Sequence, residues 1–182
     1  ILMYDNTMNT KNFRNHSVNV RFSVSDGGDD NIIIHCHSNY EILYFIRGNV
    51  RYIIEGAEYS LTAGSLLLIP PNVVHGVKAC GDGTYQRCVL DIYPEGFDLD
   101  GGNLLRRVFS NKCYYENTDG RGIGNAFDDI FSAAPLGDWA LNISVQALLI
   151  KILLMQDTFE ASEPKIAASG AVSPVSYTHL TL

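Results

Sequence analysis

The stretch of sequence that decides the fold is residues 35–48, which read HCHSNYEILYFIRG. His35 and His37 are two residues apart, so their side chains share one face if this stretch is a β-strand. Glu41 has the same parity, and the β-branched and aromatic residues after it favour a second strand. We therefore expect two imidazoles and one carboxylate to face the same interior.

A second stretch, residues 64–75, reads GSLLLIPPNVVH and supplies a third imidazole. Its apolar run predicts a buried strand, and Pro70-Pro71 ends that strand because proline cannot donate a ladder hydrogen bond. His75 follows at the mouth of the strand, where it can turn toward the histidine pair.

Short strands with regular turn signals indicate a sandwich or small barrel over residues 32–93. Gly48-Asn49 is typical of a two-residue hairpin turn. That turn predicts two cross-strand pairs on the face of Glu41, namely Phe45 with Tyr52 and Leu43 with Ile54.

After Pro94 the apolar spacing changes from the period of a strand to that of a helix. We expect helices over about residues 103–159, packed against the barrel. The last helix has apolar residues at spacings of 4, 3, 4 and 3, which is typical of a coiled-coil seam. The seam predicts a homodimer interface, or else packing on the chain's own barrel, and consists of Leu141, Val145, Leu148, Ile152 and Met155.

The four polar residues allow two interpretations. Three neutral imidazoles and a carboxylate suit Zn, Ni, Fe or Mn, with positions left open for water or substrate. The alternative is a metal-free polar pocket. In either case the predicted pocket is lined by His35, His37, Glu41, Leu43, Phe45, Tyr52 and His75. Arg47 and Arg51 either bind an anionic group or lie at the rim in water.

Composition excludes several classes of function. The 182 residues carry 13 Lys and Arg against 20 Asp and Glu, a net charge of -7 that disfavours direct binding to nucleic acid. The longest apolar stretch, residues 148–155, contains Lys151 and is too short to cross a membrane. No nucleophile elbow, phosphate loop or dinucleotide fingerprint is present, so no catalytic residue is assigned. We expect a cytoplasmic protein without a membrane partner.

The two stretches resemble the two sequence motifs of cupins. His-x-His, three residues, Glu, six residues and Gly48 match the first motif, and Gly64, Pro70 and His75 match the second. The match covers about residues 35–79. It departs at Asn72, where a cupin usually has Gly, and at Ala79, where it usually has Asn.

From about residue 16 to 159 the chain more closely resembles the N-terminal sensor domain of AraC-type transcription regulators. The shared wording includes HSNYEILY at residues 37–44 and GSLLLIPP at residues 64–71. The resemblance implies a jelly-roll cupin barrel that binds a small polar effector, of which sugars are the best-known class, and C-terminal helices that form a homodimer. It also implies DNA binding only through a helix-turn-helix domain outside this chain. The alternative is a metal-dependent cupin enzyme, an isomerase or dioxygenase.

This interpretation divides the chain into four parts. We expect an N-terminal arm with short strands over residues 1–31 and the cupin barrel over residues 32–97. A helical dimerisation segment follows over residues 98–161. Residues 162–182 have no periodicity and resemble cloning-derived sequence, so we expect an unstructured tail.

Overall fold

The computed structural model describes residues 11–26, 33–81, 83–97 and 103–162. The predicted tail, apart from its first residue, and the first ten residues of the predicted arm lie outside these ranges. The described residues form ten strands, all in antiparallel pairs, followed by helices, which confirms the predicted fold class. The strands are β1 (Lys11–Arg14), β2 (Val18–Asp26), β3 (Ile33–His35), β4 (Tyr40–Arg47), β5 (Val50–Ile54), β6 (Ala57–Ser60), β7 (Leu66–Ile69), β8 (His75–Ala79), β9 (Thr84–Ile92) and β10 (Tyr114–Tyr115).

The strands build two sheets that face each other. One has six strands in the order β1-β2-β9-β4-β7-β10, and the other has four in the order β3-β8-β5-β6. The helices follow the barrel in the chain as α1 (Asn103–Val108), α2 (Ile123–Ala133) and α3 (Asp138–Ser162). Short 3-10 turns at Pro94–Gly96, Thr118–Arg121 and Ala134–Leu136 connect these elements.

The six-stranded sheet is buried on both faces. Along β4, Leu43 and Phe45 point between the sheets, where they join one apolar cluster with residues of β5, β7 and β9. Ile42 and Tyr44 point the other way, into a second cluster shared with the helices. Residues of alternating parity therefore face different cores, which explains why β4 reads as a continuous apolar run.

The prediction of a hairpin at Gly48-Asn49 is wrong. Strand β4 pairs with β7 and β9, whereas β5 pairs with β6 and β8, so the turn carries the chain from one sheet to the other. Phe45 and Tyr52 still belong to the same apolar cluster, but they meet across the barrel interior rather than along one sheet. A two-residue turn signal cannot distinguish a hairpin from a corner between sheets.

Gly48 is required at this corner. Its φ is 123°, and a Cβ atom there would lie 2.4 Å from Cβ and 2.7 Å from Cα of Tyr85. Any side chain at this position would therefore push the corner away from β9.

The longest helix, α3, is apolar on more than one face. Its segment of 21 residues from Asp138 to Thr158 is long and apolar enough to cross a membrane by length and composition alone. In this fold 39% of that segment is buried, and its buried side chains pack against the barrel and the other helices. The 3-10 turn before it and α3 itself leave Leu136, Trp139, Ile143, Ile150 and Leu154 exposed.

The corner is tested by comparing two glycines. Gly48→Ala should lower the free energy of unfolding by about 3 kcal/mol, because left-handed strain of about 1–2 kcal/mol adds to overpacking against β9. Gly56→Ala is the matched control, since Gly56 also has a positive φ of 81° but meets nothing within 4 Å. The control should lose only about 1 kcal/mol, and equal losses in urea denaturation would contradict the close approach to Tyr85.

Candidate functional site

Three histidine rings gather at one end of the barrel. His35 ends β3 and His75 begins β8, and the two residues are directly opposite each other in the antiparallel ladder. Their ring centroids lie 4.3 Å apart, and the His37 centroid lies 4.9 Å from His75 and 5.8 Å from His35. His75 is fully buried and His37 is partly buried, whereas His35 is exposed at the mouth.

Glu41 approaches the histidines from the opposite sheet. It lies on β4, is 4% exposed, and accepts a hydrogen bond of 3.2 Å at Oε1 from the buried Tyr52 hydroxyl. Its other oxygen, Oε2, lies 3.3 Å from His37 Nε2 and 4.0 Å from His75 Nε2. The structure thus brings together all four polar residues that the sequence singled out.

The backbone determines which ring nitrogens carry protons. Nδ1 of His75 lies 2.8 Å from the carbonyl oxygen of Val73, and Nδ1 of His37 lies 3.0 Å from that of Asn39. A carbonyl oxygen can only accept, so each Nδ1 must be the donor. In the neutral rings Nε2 is therefore a lone-pair acceptor, and both lone pairs are directed toward the Glu41 carboxylate.

Acceptors alone repel one another, so this arrangement needs a cation at its centre. His75 Nε2 is buried without a hydrogen-bond partner among the described residues, which is costly for a polar atom. Either a proton on His37 or a metal ion would supply the missing positive charge. A metal ion bound here would compete with protons for the same lone pairs.

The pKa values follow the same logic. The hydrogen bond to Glu41 raises the pKa of His37. Burial alone would raise the pKa of Glu41, but the hydrogen bond with His37 and the charge of His75 hold it below its ordinary value. Burial lowers the pKa of His75, which favours the uncharged form of this ring. Burial and the Glu41 charge raise the pKa of Tyr52 well above its usual range, which keeps its hydroxyl a donor.

The donor set fits a divalent transition metal. Ligand atoms of His35, His37 and His75 all lie within 4.8 Å of one another, and the same holds for His37, Glu41 and Asp91. A metal-binding imidazole is usually oriented in this way, by a hydrogen bond from its other ring N–H to a carbonyl oxygen. A metal held here by the three histidines and Glu41 would present a Lewis-acid position to an oxygen of a bound molecule.

Sequence reasoning missed a polar group beside the cluster. Asp91 on β9 is opposite Glu41 in the ladder, is 6% exposed, and forms a salt bridge with Arg21 on β2. Asn39 donates a hydrogen bond of 3.1 Å to the other oxygen of Asp91. The alternation Val18-Asn19-Val20-Arg21-Phe22 carried the available signal, because it places Asn19 and Arg21 on the face opposite the apolar residues.

The other predicted pocket residues lie as the strand parity requires. Leu43, Phe45 and Tyr52 are buried between the two sheets, and the Tyr52 ring stacks on His75 with a centroid distance of 6.2 Å. Arg47 and Arg51 are exposed, and Arg51 forms a salt bridge of 3.2 Å with Glu58, which is also exposed. These two arginines therefore lie outside the interior.

The five residues of the predicted dimer seam lie in the interior of the subunit. All five residues are at most 3% exposed and belong to the cluster that joins the helices to the six-stranded sheet. The structure therefore uses this seam within the subunit, the other interpretation that the sequence allowed. The five side chains in this core are Leu141, Val145, Leu148, Ile152 and Met155.

The fold and the interior histidines define a cupin-type domain, a barrel of two facing sheets with polar side chains at one end. The family model of the AraC-like ligand-binding domain matches residues 22–156, so the chain belongs to that family. A search of curated proteins found no significant match.

Several solved structures are similar at low sequence identity. A cupin protein from Bacteroides fragilis is 21% identical with a TM-score of 0.40, over 46% of this chain and 71% of that one. KdgF from Halomonas sp. is 18% identical with a TM-score of 0.40, over 46% and 77%. A mutant of salicylate 1,2-dioxygenase from Pseudoaminobacter salicylatoxidans is 19% identical with a TM-score of 0.39, over 42% and 22%.

The metal site is tested by titrating the untagged protein with Zn²⁺, Ni²⁺ or Mn²⁺ in a calorimeter. His75→Gln should weaken metal binding by about 10- to 100-fold or more, because losing a coordinating nitrogen costs at least as much affinity as losing a group that only orients a ligand. Binding should also weaken as pH falls, because protons compete for the same lone pairs. His16→Gln is the control, since this exposed histidine lies in the arm. Equal affinity in the two variants would rule out the cluster as the metal site.

Proposed function

We propose that this chain senses a small polar effector inside its barrel and transmits the binding event to its helices. The observation that carries this proposal is the buried, unpartnered Nε2 of His75, which faces an interior that also holds Glu41 and Tyr52. Membership of the AraC-like ligand-binding family supports the same function. A ligand that satisfies these groups would bind the folded interior selectively.

Strand β4 offers a physical route from the interior to the helices. Glu41 faces the histidines, whereas Tyr44, on the other face of the strand, donates a hydrogen bond to Asp119 in the turn before α2. The Tyr44 hydroxyl also packs closely against α2 itself, since a Cβ atom added to Gly124 of this helix would lie 2.6 Å from it. A ligand that shifts β4 would therefore change the packing of α2, which is a population shift between two arrangements of the barrel and helices.

The first strand gives a second contact between barrel and helices. Phe13 on β1 packs on Phe131 of α2 with ring centroids 6.4 Å apart, and Asn15 donates a hydrogen bond to Asn142 of α3. Strand β1 also pairs with β2, which carries Arg21 into the interior. Movement of β2 would thus reach α3 through this strand.

Dimerisation, in this proposal, uses the exposed face of α3. Trp139, Ile143, Ile150 and Leu154 are 51–67% exposed, and their spacings of 4, 7 and 4 place them on one side of the helix. Ala147, which is also exposed, fills the gap between Ile143 and Ile150, so these positions from Trp139 to Leu154 are all apolar, and the charged Asp157 follows one turn beyond Leu154. A second copy of the same face is the simplest apolar surface to cover it.

The domain would act as part of a larger regulator in the cytoplasm. DNA binding is assigned to a helix-turn-helix domain outside this chain, since a net charge of -7 gives this chain no affinity for phosphate backbones. Ligand binding would then reposition two such domains through the α3 dimer.

A metal-dependent cupin enzyme is the second candidate. The observation that favours it is the convergence of three histidine nitrogens on one side of the Glu41 carboxylate. An isomerase or dioxygenase would require the metal for turnover, whereas a sensor requires only binding. The two functions therefore differ in a measurable way.

Effector binding is tested by thermal shift with sugars and organic acids, with and without added metal. One ligand class should stabilise the chain by about 2.7 kcal/mol at 100 times its Kd, and Glu41→Gln should abolish the shift. Glu58→Gln is the control, because Glu58 lies outside the barrel with its side chain 54% exposed. Substrate consumption that depends on bound metal would favour the enzyme instead.

The dimer is tested by light scattering at micromolar concentration. Replacing Ile143 and Ile150 together by Glu should yield a folded monomer, since these side chains are exposed within the subunit. Leu148→Glu should instead unfold the chain, because it buries a charge in a fully enclosed position. A parent chain that is already monomeric would contradict the proposed interface.

A further inference from the structure

Arg21 and Arg87 both face the interior of the barrel, and of these two only Arg21 forms an ion pair with a carboxylate that the structure describes. On β2 and β9 the residues that alternate with the apolar outer face include Arg21 and Arg87. Arg21 forms a salt bridge with Asp91, so its charge is balanced within the protein. The Glu41 carboxylate has its own neighbour, His37, whose Nε2 lies 3.3 Å from Oε2.

Arg87 has no such partner among the residues that the structure describes. Its guanidinium donates one hydrogen bond of 3.0 Å to the Ser25 hydroxyl and lies 4.7 Å from the centroid of the Tyr85 ring. Among the described residues, no carboxylate oxygen lies within 4.0 Å of the Arg87 guanidinium, the limiting distance for an ion pair. A guanidinium has five N–H donors, so most of its hydrogen-bonding capacity is left for another molecule.

Arg87 belongs to the same interior as the histidine cluster. It is opposite Phe45 in the β4–β9 ladder, and it lies between Tyr85 and Val89, which both point between the sheets. The Arg87 charge also acts on Tyr52, the residue that donates to Glu41, and tends to lower the pKa of its hydroxyl. A molecule in this interior would therefore meet Arg87 at one side and the Glu41–histidine cluster at the other.

The Tyr85 ring beside the guanidinium belongs to an aromatic part of the barrel interior. Phe45, Tyr52 and Tyr85 are all at most 8% exposed and belong to the cluster between the sheets. Their ring faces favour flat or apolar groups, while the planar fork of an arginine matches the two oxygens of a carboxylate. The combination fits an acid with an unsaturated or aliphatic body better than a polyhydroxylated neutral molecule.

We propose that the effector is a small organic carboxylate, whose charged group pairs with Arg87 and whose body lies among the three aromatic rings. This inference rests on the proposed sensing function and assigns the chemical class of its ligand. It also gives a role to an arginine at an interior strand position that has no carboxylate partner in the described ranges, since the ligand itself would provide the counter-charge.

The experiment compares carboxylates with their uncharged isosteres on the full chain by calorimetry and thermal shift. The probes are benzoate with benzamide, succinate with succinamide, and arabinose as a neutral sugar. At least one acid should bind while its amide does not. Arg87→Gln should weaken that binding by about 10- to 100-fold, the usual worth of a charge-assisted pair. Arg87→Lys should give a smaller loss, because it keeps the charge without the fork.

Arg51→Gln is the matched control, because Arg51 forms an ion pair outside the barrel with its side chain 53% exposed. Circular dichroism of each variant separates loss of binding from loss of fold. An acid that binds Arg87→Gln as tightly as the parent would overturn the inference. Binding of arabinose but of neither acid would overturn it too, while leaving the sensing function intact. If no probe of any class binds, both the inference and the sensing function fail.

Discussion

Two hydrogen bonds from histidine Nδ1–H groups to backbone carbonyls determine the chemistry of this barrel. Nδ1–H of His37 donates to the carbonyl oxygen of Asn39, and Nδ1–H of His75 donates to that of Val73. In the neutral rings both Nε2 lone pairs therefore face Glu41. A carboxylate and two imidazole acceptors cannot share a small interior without a positive charge between them. In our proposal the folded barrel therefore binds a proton or a metal ion at this point.

The position of this cluster matters because β4 has two buried faces. The strand presents Glu41 to the interior and Tyr44 to the helices, so one rigid element touches both the site and the Asp119 turn. A binding event cannot move one face of a strand without moving the other. In our proposal this constraint links ligand binding to the helices, and the exposed face of α3 carries the change to a second copy.

Much of the fold could be predicted from local patterns. Strand parity placed His35 and His37 on one face, and the change in apolar spacing after Pro94 marked the start of the helices. The corner between the two sheets at Gly48 could not be predicted, because the turn signal depends on backbone conformation and not on which sheet the next strand joins. The predicted seam of α3 lies within the subunit for a related reason. This helix has heptad-spaced apolar residues on two faces, and spacing alone does not tell which face meets the barrel.

Three polar residues of the barrel interior could not be predicted from the sequence pattern. Arg21, Arg87 and Asp91 lie on strands whose apolar residues pack against the helices, so the hydrophobic pattern alone gave no sign that these polar side chains face a second interior. Only the pairing of β2 with β9 and of β9 with β4 shows that these side chains share the interior with Glu41.

The most direct test of this account is the protonation state of the two histidines. Nitrogen-15 NMR of the imidazole rings at neutral pH, before and after addition of Zn²⁺, measures it. We expect His75 to carry its proton on Nδ1 in the metal-free protein, and the Nε2 signals of His37 and His75 to shift together when zinc is added. A proton on Nε2 of His75, or Nε2 signals that do not respond to zinc, would contradict the central claim that these lone pairs converge on one cation site.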